Sequence, residues 1–480
     1  MNRESKIESF FQTIRSESFG SSALITHFRE FLSSEDDYSL FRVNPYIYAN
    51  DSGFPYHEVL DVFLHASKHG LFVMEWLLVC PRCGDPVKHF QNLIHVHNQY
   101  HCDFCRRDYH TSLDDSIHIV FTIHPDIRDI VFHHPESLPI EDYQYKYHFS
   151  REGRVPGSSM TFRHFFKKRE RFLRFLSPKE VREVEINVRE GYLEGNDFLH
   201  DTDFLLEVLA ERSSKTDEVQ ITYENQTLHS DTKQCRSGIL KLNIKNNSSE
   251  KVPLSIYQLD SDFLTSTFLL EFDPHLSAKE LLNHRTFRTL FQGEDIVGPR
   301  GLSIKDQTFL FTDLKGSTNL YERIGDLKAF SLVQQHFDEM SRVIIKNQGS
   351  LVKTIGDAIM ATFLSAENAM RAAIEMLEEI ETFNKRQLER EIILKIGIHT
   401  GASIAVTLND RLDYFGQVVN IAARVQGLAE GEEICFTNEI YAAPRVSTIL
   451  RGYPVKSEIT QLKGITENIQ IYRLSPKEKE

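Results

Sequence analysis

Carboxylates, glycines and cations recur between Phe309 and Arg424 at spacings that suit a site for metal ions and phosphate. Phe309-Leu-Phe-Thr-Asp313-Leu-Lys-Gly316-Ser317-Thr318 is an apolar strand that ends on an acid and turns through a glycine before a helical run. About forty residues on, Leu351-Val-Lys353-Thr-Ile-Gly356-Asp357-Ala-Ile-Met-Ala-Thr-Phe363 gives two apolar strands joined by a Gly-Asp turn, which puts a second carboxylate on a hairpin tip. Carboxylates on adjacent strand ends suit a pair of Mg²⁺ ions, because hard cations take oxygen ligands and share them with substrate phosphates. A third piece, Leu412-Asp413-Tyr-Phe-Gly416-Gln-Val-Val-Asn420-Ile-Ala-Ala-Arg424-Val, sets Asn420 and Arg424 four residues apart on one face of an amphipathic helix. Neither residue belongs in an apolar core without a polar partner.

With Gln461-Leu462-Lys463-Gly464 further on, these stretches resemble the catalytic domain of class III nucleotidyl (adenylate/guanylate) cyclases, from about Gln307 to Leu474 and with four motifs in the family's order. The resemblance implies a ferredoxin-like βαββαβ core and an enzyme that cyclises a nucleoside triphosphate. It assigns two Mg²⁺ (or Mn²⁺) ions per site to Asp313, Asp357 and the backbone carbonyl of Leu314. It assigns the ribose and the pentavalent α-phosphate to Asn420 and Arg424. The turn Gly316-Ser317-Thr318, whose amides open onto a helix N-terminus, suits phosphate, with Lys463 and Arg424 as cations. Lys395 stands where the family often has arginine, keeping the charge but losing the bidentate fork.

The resemblance gives base selection to Lys353 and Asp413. Lysine offers only donors and suits adenine N1, while ionised aspartate offers only acceptors and suits the 6-amino group. Guanine presents the reverse pattern, and a mispaired buried polar edge can cost ~10⁴ in discrimination. Guanylate-specific members commonly carry Glu and Cys at these positions, so the expected substrate is ATP. A guanylate cyclase is the nearer alternative, and a silent zinc-ribbon protein that senses nucleotide the more distant one. The family also implies a homodimer, with metal aspartates from one chain and base-reading and transition-state residues from the other.

The elements that must position these residues form one α+β block over 301–480, with long helices expected near Asp326 to Lys346 and Ala366 to Arg390. Ahead of it, residues 1–75 read as helical, with Gly70 as a C-cap. Residues 76–118 carry Cys80-Pro-Arg-Cys83 and, eighteen residues later, Cys102-Asp-Phe-Cys105. That spacing predicts a ribbon with one structural Zn²⁺ per chain on Cys80, Cys83, Cys102 and Cys105, since four thiolates close the tetrahedral shell. His95, His97 and His101 are surplus to it. Residues 119–300 read as a β-rich regulatory domain with a linker, an antiparallel sandwich or barrel by their period-2 runs. Within it, the basic, aromatic-laced Arg163–Arg174 reads as a solvated helix face or linker, or else as a surface for a phosphorylated ligand, a membrane surface or an acidic partner, and His133-His134 as loop residues. This order of parts is similar to a regulatory module found before some soluble bacterial cyclases, which would answer to a small-molecule or protein regulator.

The whole chain of 480 residues is 41% hydrophobic and 26% charged, with a formal net charge of −14 that argues against nucleic acid as a partner. No apolar run approaches the about 20 residues of a membrane span, and no signal core follows Met1, so a cytoplasmic location is expected. The two remaining cysteines, Cys235 and Cys435, are solitary, as in a reducing compartment.

Overall fold

The computed structural model describes residues 3–17, 20–33, 36–94, 96–102, 107–149, 153–197, 199–200, 202–212, 216–262, 269–291, 301–386, 392–408 and 411–475. Its contacts divide the chain into two compact units. The first is residues 1–91, 99–111 and 116–276; the second is 92–98, 112–115 and 277–480.

The first unit opens with helices Arg3–Glu17, Ser22–Phe31, Pro45–Ser52 and Tyr56–Lys68. Ser21 caps the second by accepting from the Leu24 amide, and Asn44 caps the third just ahead of Pro45. The fourth closes through Gly70 at φ 72°, as expected of a C-cap glycine. Their apolar faces meet in an aromatic core in which Phe28, Phe63 and Phe72 lie 5.2–5.9 Å apart. Phe72 opens the strand Phe72–Val79, which pairs antiparallel with Pro86–Phe90 on one side and Ile117–Ile123 on the other.

Beyond these lies a larger sheet of eight strands. Its long strand Gln234–Asn246 pairs with Thr202–Arg212 up to Ser237, then with Val181–Val188 and Asp217–Glu224 from Gly238 onward. Both halves feed one core that includes Leu193, Leu206, Ile221, Leu242 and Ile256. The purely antiparallel pairing expected from the period-2 runs is corrected here, since Gln234–Asn246 runs parallel to two of its neighbours. The physical reason is the short strand Thr227–Ser230, which reverses the chain once more, so that the third strand returns along the direction of the first.

In the second unit's eight-stranded sheet, Gly349–Ile355, Ala358–Phe363, Leu302–Leu314 and Leu394–Leu408 lie side by side in that order, with helices Asp326–Lys346 and Ala366–Lys385 in the two crossovers. This is the expected βαββαβ core. The second helix ends at Lys385, earlier than the expected Arg390, and residues 387–391 lie outside the described ones. Period-2 alternation gives the sheet two unlike faces. Leu310, Leu314, Ile359, Ala361, Phe363, Leu394, Ile396 and Ile398 bury against the helices in one cluster. Asp313, Lys395 and Gly397 alternate onto the opposite face, against which helix Gln417–Gly427 packs.

Candidate active site

Asp313 is the penultimate residue of its strand, opposite Lys395 in the antiparallel register, and the Lys395 ammonium lies 3.8 Å from its carboxylate. On the other edge, Thr312 is paired with Ile359, and the Ile359 amide donates to Thr312 Oγ1 at 3.2 Å. That register brings the turn Gly356-Asp357 beside Asp313. Gly356 sits at φ 64°, the left-handed conformation that lets the hairpin close in two residues. Asp357 Oδ2 is buried without a hydrogen-bond partner. A buried carboxylate oxygen left bare beside a second, half-buried carboxylate fits a divalent cation, since a lone buried anionic oxygen is otherwise strongly unfavourable.

Behind Asp357 stands His336, on the apolar face of helix Asp326–Lys346 and fully buried. Burial pushes its imidazole down to about 4, against the opposing pulls of the Val333 carbonyl and the Asp357 charge. A lone histidine in an apolar helical stripe gives no sequence signal of this placement.

Lys353 and Asp413 meet directly, Nζ to Oδ2 at 2.5 Å, although sixty residues apart. Lys353 comes from the first hairpin and Asp413 from the short strand Arg411–Phe415, which folds back on Leu394–Leu408 with Asp413 opposite Val406. Arg424 lies over the turn Lys463-Gly464, such that a Cβ on Gly464 would stand 3.4 Å from its Nη2. Asn420, one helical turn earlier, is exposed. Among the described residues, no hydrogen bond or ion pair joins Asn420 or Arg424 to Asp313 or Asp357 within the chain. Ser317 and Thr318 open helix Ser317–Ile324 directly after Gly316.

Gly397 decides where this helix can sit, a role that sequence reading missed. A Cβ on it would fall 2.2 Å from the Gln426 amide nitrogen, so the backbone of helix Gln417–Gly427 touches the strand where any other residue would hold it off. The only sequence signal is a glycine inside an otherwise apolar strand.

At the other end of the chain, Cys80, Cys83 and Cys102 are buried with their sulfurs within 4.8 Å of one another. Cys105 and His95 lie outside the described residues. Three converging buried thiols fit a thiophilic metal. His101 pairs with Asp108 at 2.9 Å instead. His133 and His134 both bind Asp129. Of the basic residues of 163–174, Lys167 pairs with Glu141 and Glu170 and Arg169 with Asp260, while Phe162 and Phe166 are buried. Burial pushes the lone thiols of Cys235 and Cys435 up to about 11 and about 12.

Residues 4–289, more than half of the chain, match a family of unknown function, DUF5939. The chain belongs to the DUF5939 family. Behind the DUF5939 region, residues 302–475 match the adenylate and guanylate cyclase catalytic domain, and this C-terminal region is a class III cyclase catalytic domain. Adenylate cyclase 2 of Rhizobium meliloti is 30% identical over 167 residues, covering 32% of this chain and 44% of that protein. Adenylate cyclase of Anabaena cylindrica is 28% identical over 204 residues, covering 37% and 40%. The chain thus spans less than half the length of these curated relatives. The adenylyl cyclase CyaB crystal structure from P. aeruginosa is 24% identical, with 35% of this chain and 93% of that one covered at a TM-score of 0.31. Among the described residues, no helix is long and apolar enough to cross a membrane.

Proposed function

We propose that this DUF5939 protein converts ATP to 3′,5′-cyclic AMP and pyrophosphate at composite sites of a homodimer. The observation that carries the choice of ATP is the Lys353–Asp413 pair. A donor-only and an acceptor-only group stand side by side, and adenine presents the complementary edge, an N1 acceptor next to a 6-amino donor. Guanine would set like against like at both atoms. The names of the curated relatives support the same reading.

Asp313, Asp357 and the Leu314 carbonyl would hold two Mg²⁺ or Mn²⁺ ions. When bound, such ions lower the pKa of the ribose 3′-hydroxyl and neutralise the polyphosphate. The chain's own groups do the rest. Amides at Gly316, Ser317 and Thr318 and the Lys463 ammonium hold phosphate oxygens, while Lys395 holds Asp313 in place from across the strand pair. Asn420 orients the ribose, and Arg424 spreads its guanidinium charge over the α-phosphate as it becomes pentavalent.

Sharing of sites is supported by the lack, among the described residues, of any hydrogen bond or ion pair between Asp313 or Asp357 and Asn420 or Arg424 within one chain. It is supported also by the exposed side chains of Ile355, Ile404, Leu408 and Phe415, 44–51% accessible and flanking Asp413. An isologous contact through such a surface makes two sites from one complete set per chain. Zinc on Cys80, Cys83, Cys102 and Cys105 would be structural, with the binding energy serving as folding energy.

Regulation by the N-terminal region is part of the proposal. Residues 112–115 belong to the second unit but are covalently continuous at both ends with the first. There Asp114 accepts from the Lys305 amide at 2.6 Å and Asp115 pairs with the Lys305 ammonium at 2.5 Å, on the strand that ends at Asp313.

The test is to assay purified protein with ATP and with GTP, each with Mg²⁺ and Mn²⁺, for wild type and for Lys353→Glu with Asp413→Cys. Cyclic AMP should be the main wild-type product, and the ATP/GTP ratio should fall in the double variant. An unchanged ratio would mean that these residues do not read the base.

A further inference from the structure

The base-reading pair proposed above rests on two strands at the margins of their sheet. Lys353 lies on Gly349–Ile355 and Asp413 on Arg411–Phe415, and among the described residues each of these strands pairs with a single neighbour. The Lys353 side chain is 41% exposed, so the geometry of the pair depends on how firmly Asp413 is held. Asp413 uses both carboxylate oxygens. Its Oδ2 takes the Lys353 ammonium, and its Oδ1 accepts from the Tyr414 amide at 2.8 Å. The second bond fixes the rotation of the carboxylate, so the aim of Oδ2 follows the placement of Tyr414.

Along Arg411–Phe415, Tyr414 is the one buried residue, while Arg411 and Phe415 at the two ends are exposed. A short strand with one partner strand gains little from its ladder alone, so burial of this side chain is what secures it. The Tyr414 ring stands edge-to-face on Phe309, with centroids 5.6 Å apart and planes at 73°, a geometry that aromatic pairs favour beyond the area they bury. Phe309 is fully buried on the strand Leu302–Leu314 and shares a face with Asp313 by even spacing. Tyr414 thus docks the strand of Asp413 onto the strand of Asp313.

We propose that Tyr414 is a positioning residue for the choice of base, an inference that rests on the reading of Lys353 and Asp413 given above. Its ring, anchored on Phe309, holds the Tyr414 amide against Asp413 Oδ1 and leaves Oδ2 aimed at Lys353 and the 6-amino group of adenine. A carboxylate released from that aim can shift to accept the guanine N1–H while Lys353 donates to guanine O6, so discrimination falls.

The test measures kcat/KM for ATP and for GTP with Mg²⁺ on the full-length protein, as wild type, Tyr414→Phe, Tyr414→Leu, Phe309→Leu and the double variant Lys353→Glu with Asp413→Cys. The ATP/GTP ratio is the readout, because a merely structural defect lowers both rates alike and leaves their ratio unchanged. Tyr414→Leu should lower the ratio about tenfold or more, mainly through a higher KM for ATP, since a polar edge of the base is then poorly matched. Phe309→Leu should move it in the same direction by less, and Tyr414→Phe, which keeps the ring, should leave it unchanged. A ratio unchanged in Tyr414→Leu but lowered in the double variant would overturn this inference alone. A ratio unchanged in both would refute the base reading and the inference with it. A Tyr414→Phe ratio as low as that of Tyr414→Leu would move the effect to the hydroxyl and equally refute the ring anchor. Should Tyr414→Leu fail to fold, Phe309→Leu decides in its place, and an unchanged ratio there overturns the inference.

Discussion

Gly397→Ala should disable the cyclase domain without unfolding it. The new methyl group would start 2.2 Å from the Gln426 amide nitrogen and 2.3 Å from its Cα, both backbone atoms that no rotamer change can move. To restore ordinary van der Waals contact the helix Gln417–Gly427 must retreat by roughly 1 Å, carrying Asn420 and Arg424 with it. Overpacking of this kind costs about 1–3 kcal/mol, and contact with backbone puts this case at the upper end. A displacement of that size at groups proposed to stabilise the transition state should cost about 10²-fold in turnover. Initial rates of cyclic AMP formation at saturating ATP and Mg²⁺ measure the loss, and circular dichroism checks that the fold survives. Gly427→Ala on the same helix is the control, since its Cβ would meet nothing within 4 Å and should leave turnover unchanged. A Gly397→Ala enzyme with turnover within about threefold of wild type would refute the view that close helix–strand approach sets the position of Asn420 and Arg424.

Mixing Asp313→Ala chains with Arg424→Ala chains, each inactive alone, should return about a quarter of wild-type activity, because half the dimers are mixed and each of those has one intact site. No recovery after verified subunit exchange would place both halves of the site in one chain. Cys80→Ser should lose about one zinc per chain by metal analysis and destabilise the ribbon, whereas full zinc content would remove the metal from the account. His336 gives a pH signature: its folded pKa of about 4 lies below the usual 6.5, so its contribution to stability is present above pH 6.5 and is lost as pH falls toward 4. That amounts to about 3 kcal/mol over the full range, and His336→Leu should flatten the fall in the cyclase domain's melting temperature between pH 7 and pH 5. An identical fall in both proteins would assign the acid sensitivity elsewhere.

Part of this protein is legible in its sequence because the physics is local. The run Phe309–Asp313 has to be strand with an acid close to its end, and Gly356-Asp357 has to be a turn, since alternation and a left-handed glycine are decided by a few neighbouring residues. Cys80-Pro-Arg-Cys83 closes its own knuckle, with the Gly84 amide returning to the Cys80 carbonyl at 2.9 Å. Helix caps at Ser21, Asn44 and Gly70 belong to the same class.

Other features depend on distance across the fold. Lys353 and Asp413 form an ion pair across sixty residues only because the strand Arg411–Phe415 folds back on its neighbour. Gly397 matters only because Gln426 of another element comes to rest on it. The parallel pairing of Gln234–Asn246 depends on an extra reversal that apolar alternation does not encode. His336 beside Asp357 is an ordinary residue in the sequence. Sequence alone determined which groups could do chemistry and the local elements that carry them. Tertiary structure decided which of those groups are desolvated, paired or left without a partner, because burial and Coulomb energy depend on neighbours that the chain supplies from far away.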